Sequence, residues 1–314
     1  MPFRSLARPW AVAAVALAAA ALGILAATAD ALLAQTPVRS TDAIERLARS
    51  AEDSTGTGYL AWTQGPRGHP LRVHAYLQRG DEPRIRLDRG SRGYTGGIDL
   101  PRVAYQEVVN ETSDVYVYDV STGIRSELPG VNTDDWEYLP SISGDWVLFG
   151  RDDSVGGRER VVARNIASGA ELVLSWAIHT RTTDLRPGQV SGTWATWWRC
   201  VGQRCAVFKR NLAGGGTTRL PVNRRHALYA SALTSDGTVY AARSAAGVCG
   251  GVTLRRFGPG DPAAGHVLAR LPAHVDTSTL FARENGDGSV ELVYERARCG
   301  TSKFNVFSLH DPRS

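Results

Sequence analysis

Seven histidines (His69, His74, His179, His226, His266, His274 and His310) are the side chains best suited to acid–base or metal chemistry, and they are scattered along the chain. No H-E-x-x-H or H-x-H spacing brings two of them to one face of an element. His74 alternates into a strand and is expected half-buried and hydrogen-bonded; the other six fall in loops. Only convergence of several at the mouth of a central channel would assemble a metal site or the centre of a hydrolase or lyase. Gly188-Gln189-Val190-Ser191-Gly192 is the nearest approach to G-x-S-x-G, and its serine stands in the wrong slot for a nucleophile elbow. Asn285–Glu291 is acidic and glycine-rich like a calcium loop, yet lacks the ligand run and the glutamate at the twelfth position. A tight Asp-Gly hairpin turn explains the same residues. Asn132–Glu137 reads as a solvated loop. Trp194, Trp197 and Trp198 form one dense aromatic cluster, which if exposed would stack on sugars or line a peptide groove. In a strand, Trp194 and Trp198 share one face and Trp197 takes the other, so part of the cluster is expected in the core. The sequence thus assigns no catalytic residue, no cofactor and no metal ligand.

The four cysteines point to oxidised, structural use. If Gly202-Gln203 is a two-residue hairpin turn, Val201 faces Arg204 and Cys200 faces Cys205 as a non-hydrogen-bonded pair. Such pairs hold Cα atoms about 4.5 Å apart, at the short end of the disulfide range. Cys249 and Cys299 fall near the equivalent hairpins further on, so a bridge between neighbouring units is equally open. Four cysteines allow three pairings. A zinc site is the rival reading, but the spacings are not C-x₂₋₄-C and no histidine is close in sequence.

The elements that position these residues are strands that recur. Trp62, Tyr105, Phe149, Trp197, Tyr240 and Tyr294 are spaced about 43 to 54 residues apart and each centres a short apolar run between turns. Pro101–Gln106, Asp114–Val120 and Ile124–Pro129 read as three successive strands of the second unit. One such unit cannot bury both faces of its sheet, so the copies must stack around an axis. Six units account for nearly everything after residue 55. The last ends at Leu309 without an outermost strand, and Thr36-Pro37-Val38-Arg39 is expected to supply it and join the two ends, since an unpaired edge would be exposed otherwise.

The run S-x-D/G-G-x-x-aromatic, then Asp114-Val115-Tyr116-Val117-Tyr118-Asp119 with Thr122-Gly123, then a strand ending in Leu128-Pro129, resembles the TolB-type, WD40-like propeller repeat. Ser113–Leu128 is the closest match, and Ser235-Asp236-Gly237 matches the turn that opens a unit. The resemblance covers roughly residues 55–310, in degenerate copies. It implies six four-stranded blades with loops of one rim forming any binding surface. It carries no catalytic residues, because the family shares a scaffold rather than a chemistry.

Ahead of the repeats, residues 1–9 are basic and residues 10–27 form an unbroken apolar run, followed by Ala27-Thr28-Ala29. This reads as a secretory signal cleaved before Asp30, with an uncleaved membrane anchor as the alternative. Residues 41–52 (TDAIERLARSAE) carry apolar side chains at helical spacing and predict a short helix. The fold class expected is therefore all-β: a six-bladed β-propeller with four-stranded antiparallel blades, behind an N-terminal export segment and short helix. The domains run 1–29 (signal peptide or anchor), 30–53 (linker and helix) and 54–314 (propeller). The net charge of +5 is mild and comes from scattered arginines; Lys209 and Lys303 are the only lysines. That pattern speaks against nucleic acid. The functional expectation is a secreted or extracytoplasmic, non-enzymatic propeller that binds a protein or cell-envelope component. A hydrolase or lyase at the channel mouth and a carbohydrate-binding module are the alternatives.

Overall fold

The six marker aromatics occupy one structural position. In the computed structural model, Trp62, Tyr105, Phe149, Trp197, Tyr240 and Tyr294 are the largest fully buried side chains among the described residues. Those residues are 35–39, 44–66, 69, 71–153, 157–180, 182–222, 226–244, 251–299 and 304–313. The apolar run 10–27, its cleavage site and Cys249 lie outside them. The chain divides into a unit of residues 1–32 and a unit of residues 33–314, and the described residues all belong to the second.

Strand β1 (Gln35–Arg39) comes first in sequence. Blade 1 is β2 (Ile44–Glu52), β3 (Gly58–Gly65), β4 (His74–Arg79) and β5 (Ile85–Arg86). Blade 2 is β6 (Arg92–Asp99), β7 (Arg102–Val109), β8 (Thr112–Asp119) and β9 (Ile124–Glu127). Blade 3 is β10 (Trp136–Ser143), β11 (Trp146–Asp153), β12 (Arg158–Asn165) and β13 (Glu171–Ile178). Blade 4 is β14 (Thr183–Ser191), β15 (Trp194–Val201), β16 (Arg204–Asn211) and β17 (Thr218–Arg219). Blade 5 is β18 (Ala227–Leu233), β19 (Val239–Ser244), β20 (Thr253–Phe257) and β21 (His266–Arg270). In blade 6 an inner strand split into β22 (Val275–Asp276) and β23 (Leu280–Glu284) pairs with β24 (Val290–Arg298), which pairs with β25 (Phe304–Asp311). Every pairing is antiparallel, and the described residues contain no helix. His266 and His310 therefore lie in strands rather than loops. His74 is half-buried and bonded to Asp88 Oδ2 at 2.9 Å, as expected.

Each marker sits on its blade's second strand, and in four blades an aromatic stands directly opposite on the third. Trp62 stacks on Tyr76 at 5.7 Å, Tyr105 on Tyr116 at 5.9 Å, Trp197 on Phe208 at 5.8 Å and Tyr294 on Phe307 at 6.2 Å. Such offset pairs add about 0.5–1.5 kcal/mol to the area term. The buried rings fill the space between consecutive sheets, which is why neighbouring blades stabilise each other.

The sixth blade is completed from the other end of the chain. Strand β1 pairs with β25, setting Gln35 opposite Leu309, Thr36 opposite Ser308 and Pro37 opposite Phe307. The strand expected at Thr36–Arg39 is the one found. Proline within a sheet is largely confined to edge strands, and β1 is the outer edge of blade 6. Ser50 Oγ donates to Glu291 Oε2 at 3.1 Å and Arg283 pairs with Glu52 at 3.6 Å, fastening blade 1 to blade 6.

The helix expected over 41–52 is instead β2, the inner strand of blade 1. Arg46 faces Thr63 and Arg49 faces Ala61, so Leu47 and Ala48 together oppose one residue of β3. This bulge inserts an extra residue into a period of two. It leaves Ile44, Leu47, Ala48 and Ala51 at the i, i+3, i+4, i+7 spacing that reads as a helix. Inner strands β6, β10, β14 and β18 each carry a one-residue bulge as well. In blade 6 the break between β22 and β23 adds one residue in the same way.

Candidate functional site

The bulges lie on the strands that ring the axis, and one of them reaches across to a non-adjacent blade. Gln189, in the β14 bulge, is 5% exposed. Its Nε2 donates to the carbonyl of Ala282 at 2.8 Å, and its Oε1 accepts from Ala282 N at 2.9 Å. Blades 4 and 6 are not neighbours, so this amide pair reaches past blade 5 on the inside of the ring. Gly188 makes room for this contact: a Cβ there would meet Ser231 Oγ at 2.6 Å.

A cavity lies on either side of the bridge. The far one, about 850 Å³, is rimmed by Glu52, Asp53, Asp99, Glu284 and Asp287 against Arg283 and His310. The near one is a cup of about 480 Å³ at the end where the chain passes from blade to blade, and all six blades contribute to its wall. Arg49 comes from blade 1, Arg92 and Tyr94 from blade 2, and Trp136, Tyr138, Asp152, Glu159 and His179 from blade 3. Blade 4 adds Asp184, Arg186 and Trp198, blade 5 Ala230 and Ser231, and blade 6 Ser278 and Thr279.

The wall combines rings with charges of both signs. Tyr138 is buried and donates its hydroxyl to the Leu185 carbonyl at 3.1 Å. Its ring lies over Gly150, the residue opposite it on β11, where any Cβ would collide with it. Arg186 lies over the same ring at 5.5 Å from its centroid and bonds Asp184 Oδ1 at 2.6 Å. Burial lowers the Arg49 guanidinium to about 10, with Glu295 acting in the opposite direction. Among the described residues no side chain pairs with Arg92, which leaves a cation facing the cup.

Three metal-capable side chains meet on the blade 3 wall. Asp152 and Glu159 stand directly opposite each other on β11 and β12, and His179 follows β13. Their ligand atoms all lie within 4.8 Å of one another. Glu159, 4% exposed, accepts from His179 Nδ1 at 2.9 Å. Its second oxygen accepts from Leu185 N at 3.3 Å. The hydrogen bond to Glu159, and then its charge, raise the His179 imidazole above its ordinary value. This hydrogen bond orients the ring, and the His179 side chain stays largely exposed.

No protein-family profile matches the sequence, and no curated protein does. Solved structures do match. TolB from Acinetobacter baumannii superposes with a TM-score of 0.51 at 16% identity, over 81% of this chain and 63% of its own. A protein from Agrobacterium tumefaciens assigned as a TolB gives 0.53 at 14% identity, over 88% of this chain and 93% of its own. The fold is that of a TolB-type propeller. A protein of unknown function from Dyadobacter fermentans shares it with a TM-score of 0.59 at 9% identity, over 89% of this chain and 98% of its own. This chain spans under two thirds of the Acinetobacter TolB, whose length is 63% covered. At such identities the likeness is one of scaffold.

Within this TolB-type propeller the sequence-predicted residues fall as follows. Cys200 faces Cys205 across the Gly202-Gln203 turn and is bonded to it, with Cα atoms 3.9 Å apart. Cys299 is also disulfide-bonded. Trp197 is core at 1% exposure, whereas Trp194 and Trp198 are half-buried, with Trp198 reaching the cup. Asn285–Glu291 is a hairpin turn whose Asp287 Oδ1 accepts from Ser289 N and Oγ at 2.9 and 2.5 Å. Asn132–Glu137 is less solvated than expected: Asn132 brackets the backbone of Val115, and Glu137 is fully buried against Arg151 Nε at 2.9 Å. The sequence reading missed Arg92, Asp152, Glu159 and Gln189. The available signal was positional: Asp152 and Glu159 flank one hairpin at equal distance, and His179 ends the strand that follows.

Proposed function

We propose that this chain is an extracytoplasmic binding propeller that holds a protein or cell-envelope component by taking part of it into the cup. One observation carries the reading: all six blades contribute to the wall of a single recess, with the Gln189–Ala282 bridge between it and the far cavity. A partly apolar recess with a few fixed polar groups suits retention of a ligand. Trp136 and Trp198 offer ring faces, and Arg92 offers a cation for an acidic group. The basic and apolar segment at residues 1–29 and the disulfides support an exported location.

The test is capture from a cell-envelope extract by the immobilised protein, comparing the parent with an Arg92→Glu, Trp198→Ala double variant and with Asp99→Asn in the far cavity. Capture of one component that the cup variant loses and Asp99→Asn keeps is the expected result. No specific component, or one that survives the cup variant, removes the proposal.

A second reading, an enzyme of the hydrolase or lyase type, is favoured by the buried Glu159 carboxylate orienting His179 beside Asp152. It requires the captured component to be released chemically altered by the parent and unaltered by His179→Ala.

A further inference from the structure

Blade 3 carries a charge arrangement that the arginines around it do not pair with directly. Asp152 and Glu159 are cross-strand partners, a placement that is unfavourable for like charges. Arg151 turns to Glu137 and Glu171, Arg160 to Asp153, Arg186 to Asp184, and Arg158 lies over the Trp176 ring. Among the described residues Asp152 has no hydrogen-bond or ion-pair partner. His179 is the group bonded directly to Glu159, with its side chain 57% exposed, while Arg186 acts on the pair through its charge. Two facing carboxylates and an imidazole, open on one side to the cup, form a cation site by composition.

We infer that Asp152, Glu159 and His179 together hold one divalent transition-metal ion. Three ligand atoms on a tetrahedral ion at about 2.1 Å stand roughly 3.4 Å apart. The observed spread of up to 4.8 Å closes to that when the exposed imidazole rotates, exchanging its hydrogen bond to Glu159 for the ion and releasing that proton to solvent. Leu185 N–H already holds Glu159 Oε2 in place, as an outer-shell donor does in built metal sites. The mixed oxygen and nitrogen set selects manganese, iron, cobalt, nickel or zinc over magnesium and calcium, which take oxygen alone. Three protein ligands leave coordination positions facing the cup. On the binding role proposed above, a carboxylate or phosphate oxygen of the captured component completes the sphere there.

The test uses the tag-free chain, stripped with a chelator, dialysed, and titrated calorimetrically with manganese, cobalt or zinc ions alone. The expected result is one ion per chain, with Asp152→Asn and His179→Ala each weakening affinity roughly tenfold or more. The cobalt form should show visible absorption that His179→Ala shifts. Asp152→Asn replaces a half-buried group by its isostere, so an unchanged melting temperature of the stripped variant shows that the fold is intact. Absence of binding up to about 1 mM free metal, or a stoichiometric site that both variants retain, overturns the inference. Metal alone is the probe, so the result stands whether or not the cup captures an envelope component.

Discussion

The carboxamide of Gln189 and the backbone N–H and carbonyl of Ala282 pair donor to acceptor in both directions on the inside of the ring. The pair ties together two blades that share no sheet and no common border. It also occupies an N–H and a carbonyl that would otherwise be buried beside an open channel.

Gln189→Ala should destabilise the protein by about 1–3 kcal/mol, the cost of leaving buried peptide groups without partners. Urea midpoints give the value. Gln189→Glu is a sharper control, because it keeps the acceptor and loses the donor. A Gln189→Ala variant as stable as the parent would mean that water replaces the bridge without cost.

Removing residues 30–43 takes away β1 and leaves β25 as a bare edge. The melting temperature should fall by about 10 °C, and the exposed edge should promote self-association. Calorimetry and light scattering report the two effects separately. An unchanged transition would show that the ring closes without its outermost strand.

Asp53, Asp119 and Asp287 are held below the ordinary carboxylate value of 3.8, first by the hydroxyls of Thr55, Ser121 and Ser289 and then by turn N–H groups. Because the folded values are depressed, their contribution is present above 3.8 and is lost as pH falls through the folded values. Asp276 and Glu137, raised by burial, act with the opposite sign. A triple Asp→Asn variant keeps the turns and removes the titration. Its urea midpoint should fall less than the parent's between about pH 5 and pH 3. Parallel slopes would show that these turns play no part in acid sensitivity.

The Cys200–Cys205 bridge closes a loop of only six residues counting both ends, and the hairpin already brings its ends together. Loop-entropy reasoning puts its worth at about 2 kcal/mol at most. Cys200→Ser with Cys205→Ser should therefore lower the melting temperature by about 4–8 °C. A loss several times larger would assign the bridge a role in shaping the cup next to Trp198.

The scaffold was legible because a buried ring on the second strand of each blade is indispensable, and bulky aromatics at a period near 45 residues stand out in any sequence. Trp62 and Tyr294 were found that way despite degenerate surroundings. The inner strands were harder. A bulge in each of them breaks the alternation, and in β2 the extra residue imitates helical spacing around Leu47 and Ala48. The site was hardest, because Asp152, Glu159 and His179 meet only when three strands pair in one register. Arg92 and Gln189 show no local pattern at all; their neighbours in space come from other blades.

The pairing of Gln35 with Leu309 has a consequence for the order in which the molecule is made. A nascent polypeptide produces β1 before anything it can pair with and must carry it unpaired until nearly the whole chain has emerged. Closure over so long a span adds only a logarithmic entropy cost at equilibrium, but it makes the final contact one of the most remote in sequence, and such contacts form slowly. Translation stalled anywhere upstream of β25 thus leaves a row of wedges without a clasp. Completion of the last strand is what turns that row into a circle.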